Sequence, residues 1–248
     1  GGEITIPAND IDVKSGSMVA ANATQDGDGG TVTVEAQNQL NLAGQITADG
    51  KQSGSGGAIE TSAHTATINE NATISAQAGH AESSQAGEWI HTASTVELDQ
   101  VAATVISNAL AHTDVTIKAT NQLAENQSHD ITLNAGAVIN NVSTTSRELT
   151  FIADNALNLE GSINDPNQQL ILAATSFNTL FIETTAQITA NQVSFRAAET
   201  INILGEVTST GSATDNPLIN ITANNIAITG TLQTSNSSNQ GRINVTAN

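Results

Sequence analysis

The chain has 248 residues and is 38% hydrophobic, enough to bury one core, but only 2% of it is aromatic. The interior must therefore be built from Val, Ile, Leu and Ala, a composition suited to thin, regular layers. With 24 acidic residues against 6 Lys plus Arg, the formal charge of -18 repels phosphate backbones and anionic lipid, so neither nucleic acid nor membrane insertion is expected.

The amino terminus Gly1-Gly2-Glu3-Ile4 lacks the basic region and apolar stretch of a signal peptide, and no apolar run reaches the ~18 residues of a membrane span. Cysteine is absent, which removes disulfides, thiolate metal ligands and a cysteine nucleophile from consideration.

In chain order, a first alternating segment opens at Ile4. The next runs Val32, Val34, Ala36, Leu40, Leu42, Gly44, Ile46, at offsets 0, 2, 4, 8, 10, 12 and 14. Steps of two put these side chains on one face of an extended strand, whereas a helix needs steps of three and four. A further start lies at Ile59. From about residue 79 to 127 the register weakens into less regular coils or a lateral insertion, around Trp89 and the helix-compatible stretch Val101 to Ala111, whose Ala102, Val105, Ile106, Ala109 and Leu110 suit a short amphipathic helix. After a start at Val115 the pattern returns unshifted as Leu149, Phe151, Ala153, Leu157, Leu159, Gly161, Ile163. Leu170 marks another start. Val193, Phe195, Ala197, Ile201, Ile203, Gly205, Val207 is a third full copy, and Ile219, Ile221, Ala223, Ile226, Ile228, Gly230, Leu232 a copy one residue shorter, before a last start at Ile243.

One such repeat cannot bury its own apolar face. Stacked repeats can, each strand pairing in parallel with its equivalent ~4.8 Å above and below. The expected fold is all-β, a right-handed parallel β-helix of about nine or ten coils and roughly 45 Å in length, with residues 1–248 forming one shaft segment of a longer protein. The recurring glycine sits at a corner that needs either a positive φ or room for a close backbone approach. Asn155, Asn164-Asp165-Pro166-Asn167 and Asn224-Asn225 are turn residues at other corners. Length varies mostly where the third strand of a coil leads to the next coil, as in Asp49 to Gly57, Ser209 to Pro217 and Thr234 to Arg242. Loops of uneven length on one edge are where a solenoid can carry recognition.

Candidate chemistry is sparse. Glycoside hydrolysis needs paired carboxylates, yet Glu35, Glu60, Glu97, Glu160, Glu183 and Glu199 stand singly, and no acid or base is expected to line up with a partner over three successive coils. No catalytic, cofactor or metal-binding residue is assigned, and the chain is not expected to be an enzyme. All five histidines, His64, His80, His91, His112 and His129, fall in the middle third. Aligning Ile59-Glu60-Thr61 with Ile90-His91-Thr92 places His91 over Glu60 and predicts solvated histidines without metal-site spacing. Asp26-Gly27-Asp28-Gly29-Gly30 contains half of a calcium loop, but no glutamate completes it, so a turn is expected. Thr31 and Thr33 face outward, but later coils do not repeat the threonine row that ice or mineral binding would need. Asn-x-Ser/Thr occurs at Asn22, Asn71, Asn126, Asn141, Asn220, Asn236 and Asn244, in a chain where Asn, Ser and Thr are so common that chance matches are expected.

Paired glycines ahead of alternating apolar residues, Gly1-Gly2-Glu3-Ile4-Thr5-Ile6, Gly29-Gly30-Thr31-Val32-Thr33-Val34 and Gly56-Gly57-Ala58-Ile59, make the chain resemble the filamentous haemagglutinin family of two-partner-secreted exoproteins. Trp89-Ile90, Val96-Glu97-Leu98, Thr104 to Leu110 and Asp114-Val115-Thr116-Ile117 resemble a tryptophan-led segment of such shafts, though the proline that often follows the tryptophan is missing. The resemblance implies a β-helical shaft displayed on the bacterial surface, exported through an outer-membrane partner, and serving adhesion, aggregation or presentation of a toxin. Asn216-Pro217-Leu218 stands in a corner and is no counterpart of the family's secretion motifs, so interior shaft is expected. Host glycans and sister fibres are the implied contacts, with end-to-end self-association through open coil ends. The alternative expectation is a carbohydrate-active β-helix enzyme, a lyase or hydrolase.

Overall fold

A computed structural model describes residues 1–80, 84–120, 128–211, 218–235 and 241–248. Asn126, Asn236 and the Asn216-Pro217 pair lie outside these residues. The chain is a right-handed parallel β-helix of about nine turns, with 56% of residues in strands and 5% in a helix. No helix among the described residues is long and apolar enough to cross a membrane.

Three faces make up the rod. The first is a sheet whose ten stacked strands run from Glu3–Val13 through Thr31–Leu42, Glu88–Ala93 and Arg147–Ala153 to Ile243–Ala247. Its register forms one inward column, Ile4, Val32, Ile59, Trp89, Val115, Leu149, Leu172, Val193, Ile219 and Ile243. Val32, Leu149 and Val193 therefore share a face, as the repeat requires. Leu170 does not start a coil. It pairs with Arg147, and the true equivalent is Leu172, because this strand gains an inward position before the shared column.

The next inward column reads Ile6, Val34, Thr61, His91, Ile117, Phe151, Ala174, Phe195, Ile221 and Val245. Ala174 between Phe151 and Phe195 shows how the column fills: a small side chain makes room for large ones above and below. Two residues further on stand Ala63, Ala93, Ala119, Ala153, Ser176 and Ala197, where the tight corner to the second face admits only a small side chain.

The recurring glycines resolve to close approach rather than positive φ. A Cβ on Gly161 would lie 2.4 Å from the Ala137 carbonyl oxygen, and one on Gly205 2.3 Å from that of Glu183.

The helix α1, Gln100–Leu110, replaces a strand on the third face. It packs between the third-face strands Thr73–Ser75 and Val138–Asn140, and so separates a three-stranded from a five-stranded sheet. Asp99 caps it by accepting the Ala102 N–H at 2.9 Å, which satisfies one of the unpaired donors of the first turn. Ala102, Ala103, Val105, Ile106, Ala109 and Leu110 are buried, matching the amphipathic reading. Its polar side chains take over ladder duties: Gln100 Oε1 accepts the Val138 N–H at 3.1 Å, and Ser107 Oγ the Asn140 N–H at 2.9 Å. The helix thus closes the edge it creates.

Candidate functional site

Acidic side chains serve first as clamps between coils. Asp26 Oδ1 accepts the Ser53 hydroxyl at 2.7 Å and its N–H at 3.1 Å, and Asp28 Oδ1 accepts the Ser55 N–H at 2.7 Å. The Ser53 hydroxyl, with its amide, holds the Asp26 carboxyl below its ordinary value. The half calcium loop therefore has another role: its carboxylates fasten the Asp49 to Gly57 connection to the coil beneath. The device recurs where Asp49, Asp130 and Asp165 accept the N–H of Gln77, Ala156 and Asn191 from the following coil. Five of the 24 acidic residues are thus structural.

Three further acids also stack on one another. Glu88 pairs directly with Asp114, while Asp114 and Glu148 each precede the paired residues Val115 and Leu149. Glu88, Asp114 and Glu148 therefore occupy one register position in three successive coils, ~4.8 Å apart per rung. This corrects the expectation that no acid lines up over three coils. An acid directly before the first apolar residue of consecutive repeats was visible as Glu88-Trp89, Asp114-Val115 and Glu148-Leu149.

The ladder borders a groove along the corner between the third and first faces. One stretch, about 490 Å³, is lined by His112, Asp114, Arg147 and Glu148, and the adjoining one, about 540 Å³, has a floor of Gly29-Gly30, Gly56-Gly57 and Gly87. Glu88 Oε1 accepts the Thr116 hydroxyl at 2.9 Å, and Asp114 Oδ1 accepts the Glu148 N–H at 2.9 Å. Burial pushes the Asp114 carboxyl upward, while the Glu148 amide and the Arg147 charge pull it down. Arg147 is itself buried, which lowers its pKa. One terminal nitrogen donates to the Ser146 carbonyl at 2.6 Å, while Nε finds no acceptor among the described residues. A protonatable carboxyl between two others beside a cation can hydrogen-bond sugar hydroxyls, which donate and accept at once. The six acids singled out from the sequence take no part in it.

The histidines do not assemble. His80 and His112 are exposed. His64 Nδ1 lies 3.4 Å from Ser94 Oγ, and His129 Nδ1 lies 3.3 Å from the Ser94 carbonyl oxygen. Among the described residues no group of three His, Asp or Glu is placed to hold a metal. His91 contradicts its expected solvation. The register sets Ile90 beside Glu60 and His91 beside Thr61, one residue from the alignment read in the sequence, so His91 points inward and is 2% exposed. Its Nδ1 lies 2.9 Å from Thr61 Oγ1, which also accepts Trp89 Nε1–H at 3.0 Å. Burial without a countercharge lowers its pKa to about 4.

The glycosylation sequons divide by environment. Asn141 is buried, Asn22 Oδ1 accepts the Asp49 N–H, and the Asn220 and Asn244 side chains bond each other at 2.9 Å on the outer row of the first sheet. Asn71 is exposed on a turn.

No known protein family, curated protein or solved structure matches the chain.

Proposed function

We propose that the chain is a stretch of stiff shaft from a large bacterial exoprotein of the filamentous haemagglutinin type, secreted to the cell surface through an outer-membrane partner. There it holds an adhesive or toxic end away from the cell. One observation carries this reading: the first sheet continues through ten strands on a single inward column, so the molecule grows by repetition along one axis. Carboxylate clamps from coil to coil stiffen such a rod. The test is immunolabelling of intact producing cells with antibodies to this chain. Surface label on filaments is expected, and label seen only after the cells are opened would overturn the reading.

Cut from such a shaft, the 248-residue polypeptide is also proposed to stack end to end. In the last coil Ile228, Ile243 and Val245 are 39, 44 and 45% exposed although their equivalents in the coils beneath are buried, and the edge of Ile243–Ala247 faces no further strand among the described residues. A second copy of the rod stacking on this end continues both the column and the ladder. The 248-residue polypeptide is expected to sediment as a mixture of monomer and longer species at high concentration, and the double substitution Ile243→Lys with Val245→Lys to return it to monomer. Wild-type chain that stays monomeric throughout counts against the contact.

The carboxylate ladder favours a second reading, a carbohydrate-active enzyme or binder. Rungs ~4.8 Å apart approach the spacing of ~5 Å between the carboxyl groups of retaining glycosidases. Product release from acidic or neutral polysaccharides, abolished by Glu148→Gln, would replace the shaft reading.

A further inference from the structure

The second face carries an interruption that the first does not. Its main sheet ends at Val96–Leu98, while the strand below, Thr65–Ile68, pairs only downward with Gln39 to Leu42. Among the described residues no hydrogen bond joins the two strands. The corner before them is still closed, since the Ser94 N–H donates to the His64 carbonyl at 3.2 Å. The strands part beyond it, where Val96–Leu98 leads into the Asp99 cap and α1. A helix is ~10 Å across and a strand layer ~4.8 Å thick, so α1 wedges the fourth coil away from the third.

Backbone alternation shows what the seam leaves open. The Val96 N–H donates upward to the Asp130 carbonyl, and the Leu98 carbonyl accepts from Asn134, so Glu97 turns its N–H and C=O into the seam. The Asn69 N–H donates downward to Leu42, so Ile68 and Ala66 turn theirs up toward it. Between these edges lies a cleft of about 200 Å³, bordered by Ala66, Ile68, Val96, Leu98 and Ala102 and reaching His91.

We propose that this seam is an acid-operated joint in the rod, opened by protonation of His91. Thr61, Trp89 and His91 tie the third coil to the fourth through the Thr61 hydroxyl. A doubly protonated ring has two N–H donors and requires an acceptor on each side. Thr61 and Ile117, the neighbours of His91 in its column, carry no charge. The charged or titratable groups along the seam are His64, Glu97 and Asp99. The imidazolium therefore turns into the cleft, toward water and these two carboxylates. At Asp99 it competes with the Ala102 N–H and loosens the cap of the wedging helix. Among the backbone bonds of the described residues, only that from the Ser94 N–H to the His64 carbonyl has to break for the seam to widen, so opening here precedes loss of any other layer and frays the two bordering strands first.

Amide hydrogen exchange of the wild-type chain at about pH 7 and about pH 5, corrected for intrinsic rates, tests the joint. Protection across residues 64–69 and 94–99 is expected to fall about tenfold or more at the lower pH, while Ala156–Leu159 and Thr179–Ile182 keep theirs. His91→Leu and His91→Gln are expected to abolish the difference. Equal protection at both pH values, uniform loss along the rod, or the same local loss in a folded His91 variant would overturn the proposal. If neither variant folds, the comparison of seam with control strands in the wild type decides.

Discussion

Replacing Phe151 with alanine is expected to destabilise the rod by about 3–5 kcal/mol, read as a fall in the urea midpoint of unfolding. Phe151 is fully buried in the second inward column, between Ile117 below and Ala174 above. Ala174 already leaves its space to the aromatic ring and is too short to fill the vacated volume from above. The lost transfer energy and the unfilled cavity therefore add. Phe177 is the internal control. It is 60% exposed, and Phe177→Ala should change stability by no more than about 0.5 kcal/mol. Equal effects of the two substitutions would show that the column is not packed as described.

Acidification is expected to remove about 3 kcal/mol of stability through His91 alone. The ordinary histidine value is 6.5, and burial lowers that of His91 to about 4, so between these values the unfolded chain binds a proton that the folded one does not. The contribution is complete above about pH 6.5 and is lost as pH falls toward about 4, at about 1.4 kcal/mol per unit. Asp114 works in the opposite sense. Its raised value means that stability is present when the carboxyl is protonated and is lost as pH rises through the folded value. Denaturant midpoints measured across this range should fall steeply with acid in the wild type and distinctly less in His91→Leu. A wild-type curve flat from neutrality to about pH 4 would contradict the burial of the ring.

The sequence by itself determined the repeat, and with it the architecture. Seven positions in steps of two, recurring without shift at Val32, Leu149 and Val193, leave stacking of parallel coils as the economical way to bury every apolar face. The helix at Gln100–Leu110 was legible as well, since its apolar spacing differs from that of every strand. The exact rung of each residue was not legible where corners change length. Sliding Ile90 rather than Trp89 onto Ile59 turns His91 from an interior group into a surface one, because a one-residue slip reverses every side chain. The same slip displaced Glu88 from the rung it shares with Asp114 and Glu148, which stand directly before the starts Val115 and Leu149; the three lie 26 and 34 residues apart in the chain because their coils differ in length. The seam was decided by tertiary structure alone: a helix is thicker than the strand it replaces, and that mismatch is felt on a neighbouring face whose own sequence shows no break.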